Sequence, residues 1–456
     1  EFTSEAIKKS GIPIKASNLC VTGDTLLHTD QGMISAKELY ERKTTFGAIA
    51  DVRTEIEGAS VDHSQDHYST ENLSRKDREA AIKLSGNVVR ETNGMHLIDK
   101  NAVVYRITFK SGNSIKVTAG HKLYVYEKDT SNIVKKRVSE LRTDLDRVLT
   151  QSEEGSWGTD GTFELGYTLG SVLGDGSMLI GEKYGTTSDK HSETIRAKFW
   201  DNRGTTVPEF RKISEALAEQ GFVFKEREYT YRNSDINEFN MNAKSTRAFV
   251  KYFDLKSKAV FPTKLYTCNR DTVVGFIQGL FDADGCSFRT YYGKDGKFTF
   301  GLQMVSINQE MLLGLQKLLN NFGVQSRVFL HRKEASAFND PHTGKEYERK
   351  PTYRIDIASK DTIKLMVALG GKIYLNSDKQ AILDETIAER NRVFNNVPLK
   401  DALSVDTITS IEECAPEPVY DTTQLVSHSL IFNGLVSSNC SEIALPHNEE
   451  YSFSCV

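Results

Sequence analysis

Val274-Gly275-Phe276-Ile277-Gln278-Gly279-Leu280-Phe281-Asp282-Ala283-Asp284-Gly285 returns in looser form as Leu165-Gly166-Tyr167-Thr168-Leu169-Gly170-Ser171-Val172-Leu173-Gly174-Asp175-Gly176. Asp175 and Asp284 are 109 residues apart. The segments after each opening repeat too. Strand-like segments lead to an amphipathic helix, 207–220 in the first copy and 309–321 in the second, closed by Gly221 or Gly323. A left-handed helix end calls for glycine there. A further strand and helix come next, over 238–252 and 353–369. Two copies are too few for a solenoid and imply a pseudo-two-fold α/β domain over 160–390, with repeats at 165–257 and 273–372. Gly170 and Gly279 carry no Cβ, so the two opening helices can approach closely. Their ends would then bring Asp175 and Asp284 together, a donor pair suited to divalent cations across a phosphodiester.

Outward from the repeat, the chain changes character. Residues 165–372 hold 31 basic and 24 acidic residues, while the rest holds 27 and 38, within an overall charge of −4. A basic middle in an acidic chain points to two functions, the middle one meeting a polyanion. Before it, 103–109, 114–118 and 123–126 alternate as strands, and a helix starts at Ser35-Ala36-Lys37-Glu38-Leu39. Residues 41–100 are polar and poorly periodic and read as an insertion or long loop. After it, 405–413, 419–426 and 429–432 are strand candidates, with a turn at Asn433-Gly434. The expected architecture is a mainly β domain built from both chain ends (20–150 and 395–439), with the α/β domain inserted between them.

The 456 residues and 38% apolar content suit about three domains with ample core. No apolar run approaches the ~20 residues of a membrane span, and residues 1–15 lack a signal-peptide pattern. Six cysteines without CxxC spacing argue against a disulfide scaffold or structural zinc. The expected setting is intracellular, cytoplasmic or nuclear in a eukaryote, with no membrane partner and a monomeric chain. Asp62-His63 and Asp66-His67 read as a solvated insertion rather than a metal site, and Cys268, Cys286 and Cys414 as packing residues.

The opening motifs resemble those of LAGLIDADG homing endonucleases, the second more specifically than the first. The resemblance implies that Asp175 and Asp284 are metal ligands for Mg2+ or another divalent cation. It makes Asp282 a local structural residue, and double-stranded DNA the partner. Lys258 is the candidate for the assisting lysine, with Lys264 as competitor. Segments 195–199 and 298–304 would face DNA. A domain that binds DNA without cutting it is the alternative.

A second constellation brackets the β domain. Leu19-Cys20-Val21-Thr22-Gly23-Asp24-Thr25 opens it, and Val117-Thr118-Ala119-Gly120-His121 has TxxH spacing. Val419-Tyr420-Asp421-Thr422-Thr423, His428 and Asn433-Gly434-Leu435-Val436-Ser437-Ser438-Asn439-Cys440 close it. These blocks resemble an intein of the hedgehog-intein (HINT) fold spanning the 420 residues from Cys20 to Asn439. The resemblance implies autocatalytic splicing without a cofactor. Cys20 attacks the Leu19 carbonyl by an N-to-S shift, and Cys440 takes the acyl group. Asn439 then cyclises, and an S-to-N shift restores a peptide bond. A thiolate is the competent nucleophile, and a departing amide nitrogen needs a proton. His121 is placed to give it, Thr118 to orient the peptide, Asp421 as a further polar partner and His428 as the acid–base group for the asparagine step. Ser438 stands where such elements commonly carry histidine, so either His428 and water carry that step or it is slow. Autoprocessing cleavage without ligation is the third reading.

Joining the flanks gives Ala16-Ser17-Asn18-Leu19-Cys440-Ser441-Glu442. That resembles the active-site strand of a ribonucleotide reductase large subunit, in which Asn18, Cys440 and Glu442 would point to one face after ligation. The segments before Cys20 and from Cys440 onward are then extein pieces, the partners of splicing in cis.

Overall fold

The computed structural model describes residues 20–54, 61–62, 67–68, 76, 86–127, 132–180, 193–200, 206–231, 234–292, 296–333, 335–339, 346–399, 403–424 and 426–439. Among the described residues no helix is long and apolar enough to cross a membrane.

Strands from both chain ends share one 13-stranded sheet system. Val405–Thr422 pairs Met95–Phe109 along most of its length and also pairs Val21–Thr22 and Arg147–Leu149. Ser429–Phe432 and Leu435–Ser438 form a hairpin lying between Leu26–Thr29 and Lys122–Glu127. Its two-residue turn is Asn433 (φ 51°) and Gly434 (φ 77°), the left-handed pair that matches strand twist. The first helix, α1 (Ala36–Arg42), is capped by Ser35, whose side chain accepts the Glu38 N–H.

Three sequence expectations need correction here. Residues 41–100 are not one loop: Gly47–Asp51 and Asn87–Glu91 pair with each other and extend the sheet, and Met95 already begins a long strand. Segments 405–413 and 419–426 merge into one strand, because register shifts near Cys414 and Glu417 absorb its prolines. Leu435–Ser438 is a strand whose apolar-then-Ser sequence gave no alternation to read.

Between these halves lies the repeat. Helix α2 (Phe163–Leu173) is capped by Thr162, and a sheet follows in the order Ser177–Leu179, Thr194–Trp200, Ser234–Met241, Phe224–Tyr231. Helices α3 (Thr206–Glu219) and α4 (Ala243–Phe253) cover one face. The second copy has α5 (Arg270–Asp284), capped by Asn269, and the sheet Gly285–Tyr292, Lys297–Ser306, Thr352–Ala358, Arg327–Arg332. Helices α6 (Gln309–Asn321), α7 (Ser359–Ala368) and α8 (Ser377–Val393) complete it.

Helices α2 and α5 pack against each other through glycine. A Cβ on Gly166 would lie 1.8 Å from the Thr272 carbonyl oxygen, and one on Gly170 2.3 Å from that of Phe276. Gly275 and Gly279 meet Phe163 and Tyr167 carbonyls in the same way. Only backbone-to-backbone contact fits. On each sheet the inward side chains come from alternate positions: Ile195, Ala197 and Phe199 are buried in one, and Phe298, Phe300, Leu302 and Met304 in the other.

Candidate functional sites

The first site forms where the chain ends meet. Cys20 is fully buried, its N–H donates to Thr118 Oγ1 (3.2 Å), and its carbonyl accepts the Thr118 N–H (3.0 Å). His121 N–H closes a turn onto the Thr118 carbonyl (3.0 Å), which brings the TxxH block back over the strand end. Val21 pairs Tyr420, so one further step of register sets Cys20 opposite Asp421. Leu123 pairs Ser437, so two further steps set His121 opposite Asn439. His121, Asp421, Ser438 and Asn439 are all buried. Clustering this many polar groups in a sheet core costs stability, a mark of a site kept for chemistry.

At the C-terminal edge, the Asn439 N–H donates to the His428 carbonyl (3.2 Å), and its side-chain amide donates to the Gln424 carbonyl (3.3 Å). Ser438 Oγ lies 3.2 Å from the carbonyl oxygens of both His428 and Asn439. A hydroxyl has one proton, so it serves one acceptor at a time. His428 holds a left-handed backbone (φ 51°), a strained conformation for a residue with a side chain. Gln424 was not legible in advance: nothing in its spacing marks it, and its contacts are mostly with backbone. Cys440, Asn18 and Glu442 lie outside the described residues, as does the side chain of each residue in the Asp62/His63/Asp66/His67 cluster.

The second site lies at the ends of α2 and α5. Asp175 follows α2 by two residues and Asp284 ends α5. A Cβ on Gly174 would be 2.3 Å from Ala283 Cβ and 3.5 Å from Asp284 Oδ2, so the two ends are in contact. Lys258 Nζ donates to the carbonyls of Gly174 (2.6 Å) and Gly176 (2.8 Å), the neighbours of Asp175. Burial pulls its ammonium below the ordinary lysine range, with Asp284 and Asp175 pulling the other way. Lys264 is elsewhere, paired with Asp160 at 2.9 Å.

Lys379 is the residue that sequence reading missed. Its Nζ donates to the carbonyls of Asp282 (2.7 Å) and Gly285 (2.9 Å) and reaches Ala283 (3.3 Å). Ala283 and Gly285 flank Asp284 as Gly174 and Gly176 flank Asp175. Lys258 follows α4, and Lys379, in the first turn of α8, follows α7, so the two hold corresponding places in their copies; carrying the repeat past residue 372 was the signal available. Asp282, by contrast, is buried and holds structure: it accepts from Tyr167 Oη (2.6 Å), Leu375 N–H (3.2 Å) and Asn376 N–H (3.1 Å). Burial pushes its carboxyl up to about 6.

The donor set fits a hard divalent cation. Two carboxylates converge, and among the described residues no cluster of three His, Cys, Asp or Glu forms. Phosphate and water oxygens would complete a coordination shell. The sheet faces away from the helices lead from this pair. Arg196 and Lys198 share such a face with Lys225 and Arg227 through their pairing to Asn240 and Glu238. On the other sheet, Arg327 and Arg354 stack on Phe329 at 5.1 and 4.9 Å. The apolar residues named within 195–199 and 298–304 face the core, so only their alternates are available to a ligand. Cys286 is exposed on that outer face and is not a packing residue, whereas Cys268 is buried.

Residues 271–368 match the family described as LAGLIDADG-like domain. Over 445 residues, 94% of the chain, the sequence is 29% identical to the ribonucleoside-diphosphate reductase NrdEB subunit alpha of Bacillus subtilis (strain 168). The counterpart in Bacillus phage SPbeta matches equally. The ribonucleoside-diphosphate reductase large subunit of Invertebrate iridescent virus 6 is 22% identical over 457 residues, 98% of the chain. The chain spans little more than a third (36% and 38%) of the length of these relatives. Among solved structures, the homing endonuclease I-DmoI in complex with DNA and Ca aligns with 49% of this chain and 97% of its own, at 17% identity and TM-score 0.32. The Ssp DnaB mini-intein variant M86 aligns with 29% and 61%, at 16% identity and TM-score 0.18.

Proposed function

We propose that this chain, which fits an intein carrying an inserted LAGLIDADG-type domain in a ribonucleotide reductase, performs two reactions. The first is protein splicing by a HINT-type domain made from both chain ends. The observation that carries this reading is the meeting of Cys20, Thr118 and His121 with Asn439, Ser438 and His428 on one sheet system. The Cys20 thiol attacks the Leu19 carbonyl, His121 protonates the departing Cys20 nitrogen, and a thioester replaces the amide. Thr118 Oγ1, which accepts the Cys20 N–H, holds the scissile unit in register. The Cys440 thiol takes the acyl group and releases the Cys20 thiol. The Asn439 amide nitrogen then attacks its own carbonyl, with the Ser438 hydroxyl polarising that oxygen, and Cys440 leaves with a free amine. That amine takes the acyl group from its own sulfur, which leaves a ligated peptide of reductase flanks.

The second reaction is site-specific double-strand cleavage of the intein-less host gene. Asp175 and Asp284 would hold a divalent cation such as Mg2+, which when bound supplies charge neutralisation at the phosphodiester and a more acidic water. Lys258 and Lys379 sit beside the two carboxylates, where each can hold or pass a proton at one strand. The outer sheet faces supply arginine, lysine and aromatic side chains for backbone and base contacts. Incubating the protein with a linear reductase gene, with and without Mg2+, tests this. Two discrete fragments from wild type and intact DNA from Asp175→Asn are expected. Retarded but uncut DNA would reduce the domain to a binder.

Ser438 favours a second reading of the first reaction, in which the C-terminal step lags. Its single proton is shared between two carbonyls, where histidine would bring a stronger proton carrier.

A further inference from the structure

We propose that Gln424 is the positioning residue of the C-terminal splice step, a role that rests on the splicing reading above. Its amide oxygen accepts three successive backbone N–H groups, from Val426 (2.8 Å), Ser427 (3.0 Å) and His428 (3.2 Å). Its Nε2 donates to Ser427 Oγ (2.9 Å). Its own carbonyl accepts the side-chain amide of Asn439 (3.3 Å). One fully buried residue thus holds the loop that ends in His428 and the nucleophilic amide that His428 serves. The bonds within the loop fix the left-handed backbone of His428, whose carbonyl in turn accepts from Asn439 N–H and Ser438 Oγ. The Gln424 carbonyl touches the attacking Asn439 Nδ2 itself, and the loop bonds hold the His428 carbonyl that fixes the Asn439 backbone. Proximity and orientation are where such an intramolecular reaction gains its rate. Because Ser438 is a weak proton carrier, the orientation supplied by Gln424 matters more in this chain.

The test separates the two splice junctions in the full chain. Gln424→Met keeps length and removes every side-chain hydrogen bond; Gln424→Glu keeps the acceptor oxygen. Thiol-induced cleavage at Leu19–Cys20 and spontaneous cleavage at Asn439–Cys440 are followed by intact mass. Gln424→Met is expected to slow the Asn439 step by about tenfold or more, the loss of roughly one oriented hydrogen bond. The Cys20 step should stay within about twofold, with Gln424→Glu recovering most of the loss. Equal slowing of both steps, or no change in either, overturns the assignment. Hydrogen exchange of the 426–428 amides and of the Asn439 side-chain amide reads the same contacts without chemistry. Fast exchange in Gln424→Met and slow exchange in wild type are expected. Equal exchange in both overturns the assignment even where neither junction of the wild type breaks, the outcome that would count against splicing itself.

Discussion

At the scale of single residues, Ser438 is where chemistry makes its sharpest demand. If its hydroxyl polarises the Asn439 carbonyl, Ser438→Ala slows C-terminal cleavage by about tenfold and leaves thiol-induced cleavage at Cys20 unchanged. Ser438→His is expected to exceed the wild-type rate. Intact-mass time courses measure both, and an undiminished rate in Ser438→Ala would remove the serine from the step. Within each site some residues were legible in the sequence and others were not. Cys20, His121, Asn439, Asp175 and Asp284 stood out because their chemistry is rare at such spacings and because blocks came in order around a repeat. Gln424 and Lys379 did not, because both act largely on backbone carbonyls or amides, and any residue supplies those. The choice between Lys258 and Lys264 likewise needed coordinates: both precede α5, but only Lys258 reaches the end of α2.

At the scale of elements, the pair α2–α5 sets the distance between Asp175 and Asp284. Periodicity placed α3 and α6 within a residue or so of their observed spans, since amphipathic surface helices announce themselves. The long strand Val405–Thr422 and the strand Leu435–Ser438 were harder, because bulges and a buried polar face erase alternation. For the glycine seam the physics is stringent. A methyl group on Gly170 would sit 2.3 Å from a carbonyl oxygen that cannot move independently of its helix. Gly170→Ala is therefore expected to part the helices, to cost about 3 kcal/mol by overpacking and to abolish DNA cleavage. Splicing should persist, because the residues of that site lie on the other sheet. Thermal denaturation and the cleavage assay together check this, and wild-type cleavage by Gly170→Ala would refute a fixed carboxylate separation.

At the scale of the whole molecule, the inserted domain is seated on the β domain rather than tethered to it. Leu26 and Met33, from the N-terminal part, belong to the same buried cluster as the repeat. His28 Nδ1 meets Asn321 Oδ1 at 3.0 Å at the end of α6, and the Gly434 turn packs on Asn320. Nothing in the sequence marked this contact, since a histidine and two asparagines have no periodic signature. It makes stability depend on pH. Burial pushes the His28 imidazole down to about 4, so the unfolded chain binds a proton that the folded chain refuses. His28's contribution is lost as pH falls from about 6.5 to 4, by about 3 kcal/mol. Asp282 runs the other way: with its carboxyl raised to about 6, its contribution falls as pH rises from about 4 to 6, again by about 3 kcal/mol. The two offset each other in the intact chain. His28→Gln should therefore grow more stable, and Asp282→Asn less stable, relative to wild type as pH drops from 6 to 4. Urea midpoints across that range measure it, and parallel profiles for all three proteins would contradict the assignment. Above these details stands the claim that both chain ends build one splicing centre. Intact mass after incubating the 456-residue chain with and without a thiol reductant tests it most directly. The account predicts a 420-residue species together with a 36-residue peptide joining Leu19 to Cys440. Persistence of the full-length mass in both conditions would contradict it.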